Sequence, residues 1–419
     1  MSARKAAPAF VKRSCRWGAL RTKVDALIVG GGLIGCAAAW HLALAGMEVM
    51  LVEQASTGSG ASGQNAGSLH FQIERRFLER KGGLGLEGEQ TATLSRIAID
   101  DWSTLEDRLG VSLHVHMNGG LMVAENADQV AILKAKADRE RAMGLSVETI
   151  DGAEARRRAP YLSEGIVAAN FMAAEGHADT RKIAPAFATA ATAAGAEIQI
   201  RTRLTKLEWQ GASFRAEIIG SEGAFTVGAK KVLVAAGVWS ARIAAMANLH
   251  LPLFPVGLTM SASERTPHFL PHLVQHVAQR LSMKQTEAGN ILIGGGWPSR
   301  LHRVDGIFDL SRPAELIIQS LRNNLSVATK TVPRVADLNL IRTWTGVTAV
   351  TPDQLPIAGE FPTMPGLFCA AGGSAFTLGP TFARLVADQM LERERDEADR
   401  LLAVASPARF DSLNGFMGR

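Results

Sequence analysis

Three glycines at a fixed spacing mark the first place in this chain where chemistry can be read. Gly30, Gly32 and Gly35 follow the apolar run Ala26–Val29 and open an alanine-rich stretch from about Leu33 to Ala45. Each has its own task in a GxGxxG turn. One permits the tight bend, one lets the backbone approach a pyrophosphate, and one lets the helix pack closely on its strand. Leu33 and Ile34, between the last two glycines, begin the helix whose N-terminal N–H groups would face the phosphates. A second apolar run, Glu48–Glu53, ends in a carboxylate 18 positions after Gly35. A carboxylate there accepts hydrogen bonds from ribose hydroxyls and repels a 2′-phosphate. Strand, turn, helix, strand and acid thus occur in the order a dinucleotide site requires. The fingerprint leaves FAD and NAD both open.

The stretch after Glu53 is small, polar and glycine-rich, running from Gln54 through Ala61, Ser62, Gly63, Asn65, Ala66 and Gly67 to Ser68. At these residues the chain resembles the D-amino-acid-oxidase-like (DAO) superfamily of FAD-dependent amine oxidoreductases. In that family a Gly-Ala-Ser-Gly-x-Asn-Ala-Gly segment wraps the flavin side of FAD. Later motifs follow in the family's order. The backbone near Leu204 corresponds to the adenine contact, and Ala236, Gly237 and Trp239 to a second FAD-contacting turn. Trp344-x-Gly346 leads to Thr351-Pro352-Asp353, Pro356-Ile357 and Gly359. The turn Gly372-Gly373-Ser374-Ala375-Phe376-Thr377 would then close on the ribityl chain and the flavin's pyrimidine edge. Arg409-Phe410 resembles the family's ending, so the resemblance spans about residues 24–410.

The resemblance implies FAD as cofactor and oxidation of a C–N bond. A hydride leaves the substrate carbon for flavin N5, and water hydrolyses the imine. An amino-acid substrate needs a carboxylate anchor, which the planar fork of an arginine suits. In glycine-oxidase-like members that arginine stands two residues after the Gly of Trp-x-Gly, a position held here by Thr348. Arg342, two residues before Trp344, resembles instead the Arg-Thr-Trp pattern of heteromeric sarcosine oxidase β-type subunits. Arg300, Arg303 and Arg334 are lesser candidates. Lys284 matches a lysine that lies over flavin N5 and assists oxygen reactivity in some relatives. Among ten histidines, His70 lies just after the flavin loop. A buried strand cysteine acting as a small hydrophobe is the preferred reading of Cys369, over covalent flavin attachment.

Elements must hold these groups, and composition bounds what they are. The chain has 419 residues, 47% of them hydrophobic and 20% charged, enough for a large core and a second domain or insertion. The net charge of +5 is local. Residues 1–23 carry seven basic side chains and no acid, and without them 38 basic residues face 40 acidic ones. The body is therefore no nucleic-acid binder. Three widely spaced cysteines form no disulfide framework, four-ligand zinc site or four-thiolate cluster, and no metal site is expected. A reduced, cytoplasmic compartment follows. Ala26–Met47 runs 22 residues without charge, but its glycines divide it into strand, turn and helix, which argues against a membrane span. Peripheral membrane attachment through a partner stays open, and the basic extension also fits a presequence.

The expected architecture is α/β, a Rossmann-like FAD-binding domain built on a parallel sheet with a second, antiparallel-sheet substrate domain. Segments 24–75, 150–250 and 340–410 should form the first, and 76–149 and 251–339 the second, as a cap over the flavin. Residues 1–23 are expected to be a disordered extension and 411–419 a tail. A helix over about Gln90–Leu109 and a strand pair, Leu113–His116 with Gly120–Ala124, are expected in the cap. The leading function is FAD-dependent oxidation of a secondary or N-substituted amino acid of the sarcosine, proline, hydroxyproline or opine class. The β-type motif implies a catalytic subunit whose partners carry a further redox centre. A stand-alone glycine or D-amino-acid oxidase and a non-catalytic FAD-binding subunit are the alternatives.

Overall fold

A computed structural model describes residues 21–78, 86–393 and 395–417; the extension 1–20 lies outside these residues. The apolar run that opens the chain becomes the strand Lys23–Val29, central in an eight-stranded sheet. It pairs in parallel with Val49–Glu53 on one side and with Gly223–Val234 on the other. Glu197–Ile200 and Leu367–Ala371 extend the parallel set outward. Ala26 and Ile28 enter one hydrophobic core, while Leu27 and Val29 enter another. A strand covered on both faces has no polar side to present, hence its uninterrupted apolar sequence.

Helices Leu33–Leu44, Thr180–Ala193 and Gly379–Leu391 cover one face. An antiparallel meander of Arg203–Trp209, Phe214–Gly220 and Gly223–Val234 and the helix Ser240–Met246 build the other. The uncharged stretch Ala26–Met47 is thus strand, turn and helix, and among the described residues no helix is long and apolar enough to cross a membrane.

The second sheet has nine strands, antiparallel except where Leu273–His276 runs parallel to Gly120–Ala124. Ala168–Met172 and the long strand Leu340–Val350, expected from sequence among the FAD-binding segments, hydrogen-bond within this sheet. The expected helix appears as Leu86–Ser103 followed by Leu105–Leu109.

Leu113–His116 does not form the expected strand. The Glu106 carboxylate accepts the N–H groups of Leu113 and Val115, and His114 turns to φ +53°. These amides find a side chain instead of a neighbouring strand, and only His116 keeps a bridge, to His177.

Candidate functional site

Gly30 sits at φ +114°, and a Cβ there would fall 2.4 Å from the Ala235 carbonyl oxygen. A Cβ on Gly35 would meet the Gly30 oxygen at 1.9 Å, so helix and turn touch backbone to backbone. Gly32 caps the helix without a side-chain hydrogen bond, and the first turn holds no acid. Its N-terminal N–H groups therefore point at the groove with their partial positive charge uncompensated, apart from Leu33 N, which donates to Ser62 Oγ at 3.0 Å.

Glu53 is held by its own backbone surroundings. Gly31 N donates to Oε2 and Ala55 N to Oε1, each at 2.7 Å. Both oxygens keep lone pairs, and the residue lines the groove.

The loop that follows is self-supporting. Asn65 donates through Nδ2 to the carbonyls of Ala61 and Ser62 at 2.9 Å and accepts from Gly67 N at 2.6 Å. Gly67 (φ +71°) passes so close to Ala178 that a Cβ would lie 2.2 Å from its carbonyl oxygen. Ser68 begins a short ladder with His177, and its hydroxyl meets Ser282 Oγ at 3.1 Å. Ala66 lies between Asn65 and Gly67 in the loop that leads into this ladder.

These elements enclose one cavity of about 1510 Å³. Gly30, Gly32, Leu33 and Ile34 floor it; Glu53, Gln54 and Leu204 bound one end, with Ala61 and Ser62 alongside. Ala236, Gly237 and Trp239 form a side wall, while Gly372, Ala375 and Thr348 close the far end. Gly35 does not line the cavity and packs against the Gly30 carbonyl. Phe376 and Thr377 face away: Phe376 lies 5.5 Å from the Trp102 ring, and Trp102 Nε1 donates to the Thr377 carbonyl at 2.6 Å. A glycine turn in which a Cβ on Gly30 or Gly35 would collide with backbone, an oriented carboxylate at Glu53 and a distant glycine turn fit a bound FAD.

Gly373 has a partner that the sequence did not suggest. Arg76 lies over it, so that a Cβ would be 2.3 Å from Nη1, and Nη2 donates to Ser374 Oγ at 2.6 Å and Glu74 Oε1 at 3.1 Å. The preceding residues rest on a buried network. Glu175 Oε1 accepts from Phe71 N and Gln72 N at 3.0 Å, and Glu140 from Ile73 N at 2.6 Å and Lys136 Nζ at 2.7 Å. Burial pushes the Glu175 carboxyl up to about 7. The only sequence signal was the run of acid and bases Glu74-Arg75-Arg76 just after the loop.

Lys284 is buried on the strand Ser282–Gln285, its Nζ 3.4 Å from the Ala178 carbonyl and close against Gly67. Burial pulls its ammonium down to about 7, against the opposing charge of Asp179. His70 Nε2 lies 3.2 Å from Ser282 Oγ, and burial pulls this imidazole down to about 4.

The arginines separate from one another. Arg342 is exposed, its guanidinium 5.4 Å over the Trp344 ring, and Trp344 Nε1 donates to the Gln64 carbonyl at 2.8 Å. Arg300 pairs with Glu315 at 3.4 Å, while Arg303 covers Phe308 and Arg334 covers Phe269. Cys369 is fully buried, with its thiol pushed up to about 12, so no thiolate is at hand at neutral pH. The Thr-Pro-Asp and Arg-Phe motifs meet in structure, where Arg409 Nε contacts Asp353 Oδ2 at 2.9 Å and ties the C-terminal segment to the loop before Ile357.

Known proteins resemble this chain over most of its length. The family pattern described as DAO, FAD dependent oxidoreductase, matches residues 25–389. An opine oxidase subunit of Rhizobium meliloti is 27% identical over 93% of this chain and 98% of its own length. Glycine oxidase of Geobacillus kaustophilus is 29% identical over 90% of this chain and 95% of its own. The crystal structure of a glycine oxidase from Geobacillus kaustophilus superposes with a TM-score of 0.77 at 26% identity, covering 89% of this chain and 96% of that one.

Proposed function

Because this chain belongs to the DAO family of FAD dependent oxidoreductases and is an FAD-dependent amine or amino-acid oxidoreductase, we propose that its substrate is a secondary or N-substituted amino acid. The sarcosine, proline, hydroxyproline and opine classes are the candidates. The observation that carries this reading is Thr348. A hydroxyl lines the cavity at the position where the resemblance to glycine-oxidase-like members calls for an arginine, so that strand position offers no bidentate carboxylate fork.

When bound, FAD supplies the two-electron acceptor for the C–N bond. The residues of the chain bind and orient. The turn at Gly30–Gly35 and the Glu53 carboxylate take the pyrophosphate and ribose. Lys284, uncharged above about pH 7, keeps a buried amine beside the loop at Gly67. Arg342 stacks over Trp344, whose indole N–H donates to the cavity-lining Gln64, and is the residue we assign to the substrate carboxylate.

We assign the chain a catalytic role within a heteromeric complex. Its similarity to two proteins named as opine oxidase subunits supports this. So does the outer edge of Leu340–Val350, which pairs with no strand among the described residues and leaves Ile341 62% exposed. Affinity purification of the full chain from its native source, with mass spectrometry of what accompanies it, tests the complex. A stoichiometric redox partner is expected; a chain recovered alone with full turnover would overturn this role. An anaerobic panel of amines tests the substrate class through loss of the oxidised flavin absorbance, and no bleaching by any secondary amino acid would overturn it.

A further inference from the structure

The cavity wall is not confined to the two sheets. After the strand ending at Gly294 the chain forms a separate two-stranded hairpin, His302–Val304 with Ile307–Asp309, turning on Asp305 and Gly306 at φ +51° and +79°. It lines the same cavity as Gly30 and Glu53. A lone hairpin is marginal in water, and this one is tied down from below. Leu310 packs against the core of the first sheet. Arg242 Nη2 donates to the Phe308 carbonyl at 3.1 Å, and Arg303 covers the Phe308 ring at 4.3 Å. Asp309 accepts from Ser311 N at 3.0 Å and Arg312 Nε at 2.9 Å, fixing the hairpin's base.

Val304 and Ile307 nevertheless stay 55% and 67% exposed. Both line the groove, and the Arg242–Phe308 hydrogen bond joins their hairpin to the helix Ser240–Met246. The helix carrying Arg242 packs beside the strand Arg203–Trp209, and Met246 of that helix lines the same stretch of cavity. The far end, closed by Gly372 and Ala375, belongs to a different edge of the sheet.

We propose that the hairpin His302–Asp309 is the outer wall of the adenosine half of the FAD site, with Val304 and Ile307 covering the adenosine and Arg242 latching the hairpin shut. An adenine offers a flat, largely apolar face, and two branched aliphatic side chains are suited to cover it from the solvent side. Glu53 and Leu204 line the same groove. A roofed groove releases its ligand only when the roof swings away, so the latch governs cofactor exchange as well as affinity.

The test uses the full chain freed of FAD and reconstituted. In Val304→Ser/Ile307→Ser, FAD affinity should fall about tenfold, which corresponds to about 1.4 kcal/mol. In Arg242→Ala, the release of FAD on dilution should quicken by a similar factor. FMN lacks the adenosine, and its binding should be unchanged in both variants. Unaltered FAD affinity and release in both variants would overturn the proposal. An equal weakening of FAD and FMN would overturn it too, since that places the effect outside the adenosine half. Variants that keep FAD but lose a co-purifying protein would assign the hairpin to a protein interface instead. If the double variant does not fold, Arg242→Ala, a change to an exposed side chain, decides alone.

Discussion

The amide N–H of Gly31 donates to Oε2 of Glu53 at 2.7 Å, coupling the glycine turn directly to the carboxylate that ends the second strand. With Ala55 N on the other oxygen, the carboxylate is oriented before any ligand arrives. This hydrogen bond joins two elements 22 residues apart in the chain.

Glu53→Gln should weaken FAD binding by about tenfold to a hundredfold. The amide places an NH2 group against either Gly31 N–H or Ala55 N–H, donor facing donor, and removes a charged acceptor, a loss of about 1.5–3 kcal/mol. Equilibrium titration of the FAD-free chain measures it, and unchanged affinity would show that the carboxylate does not hold the ribose.

Gly35→Ala should abolish stable FAD binding and lower the thermal midpoint. The added methyl would stand 1.9 Å from the Gly30 oxygen, so either the helix or the turn must shift. Flavin content of the purified chain and a thermal scan report the two effects separately.

Arg342→Ala should raise KM for the amino-acid substrate about tenfold or more while leaving kcat within about threefold, the pattern of lost ground-state binding. Arg342→Lys should recover only part, since an ammonium lacks the planar fork. A KM unaffected by either change removes Arg342 from the substrate site.

Lys136→Met should destabilise the chain by about 3–5 kcal/mol, because it strands Glu140 as an unpaired buried charge. The side chains of both residues are fully buried. Adding Glu140→Gln should recover most of the loss, as the amide oxygen can still accept from Ile73 N. Denaturation of the single and double variants provides the comparison.

Lys284 should make the stability of the FAD-free chain depend on pH. Its folded pKa, about 7, lies below its ordinary 10.5, so the unfolded chain binds more protons between those values. Stability contributed at this position therefore increases as pH rises from about 7 towards 10.5 and is lowest below that window. Lys284→Met should flatten this rise and raise the thermal midpoint at neutral pH. An identical pH slope in both proteins would mean that Lys284 is solvated.

What the sequence made legible was local in the chain. Gly30, Gly32, Gly35 and Glu53 lie within one strand–helix–strand unit, so their spacing encodes their geometry. Asn65 and Gly67 complete a turn two residues long, equally readable. Arg76 over Gly373 was not legible, because it and Ser374 are 298 positions apart and only the folded sheet brings them together. Leu113–His116 reads as a strand by pattern, yet a single carboxylate, Glu106, claims the amides of Leu113 and Val115. The hairpin at His302–Asp309 carried ordinary strand residues, and only folding brings it beside the cavity.

The most direct measurement compares sarcosine with glycine, two substrates differing by one N-methyl group, in anaerobic stopped-flow reduction of the FAD-loaded chain. The expected result is that sarcosine, or another secondary amino acid in the same assay, bleaches the flavin at least tenfold faster than glycine, a difference of about 1.4 kcal/mol in the barrier. Glycine reducing the flavin as fast as every secondary amino acid tested would contradict the assigned substrate class.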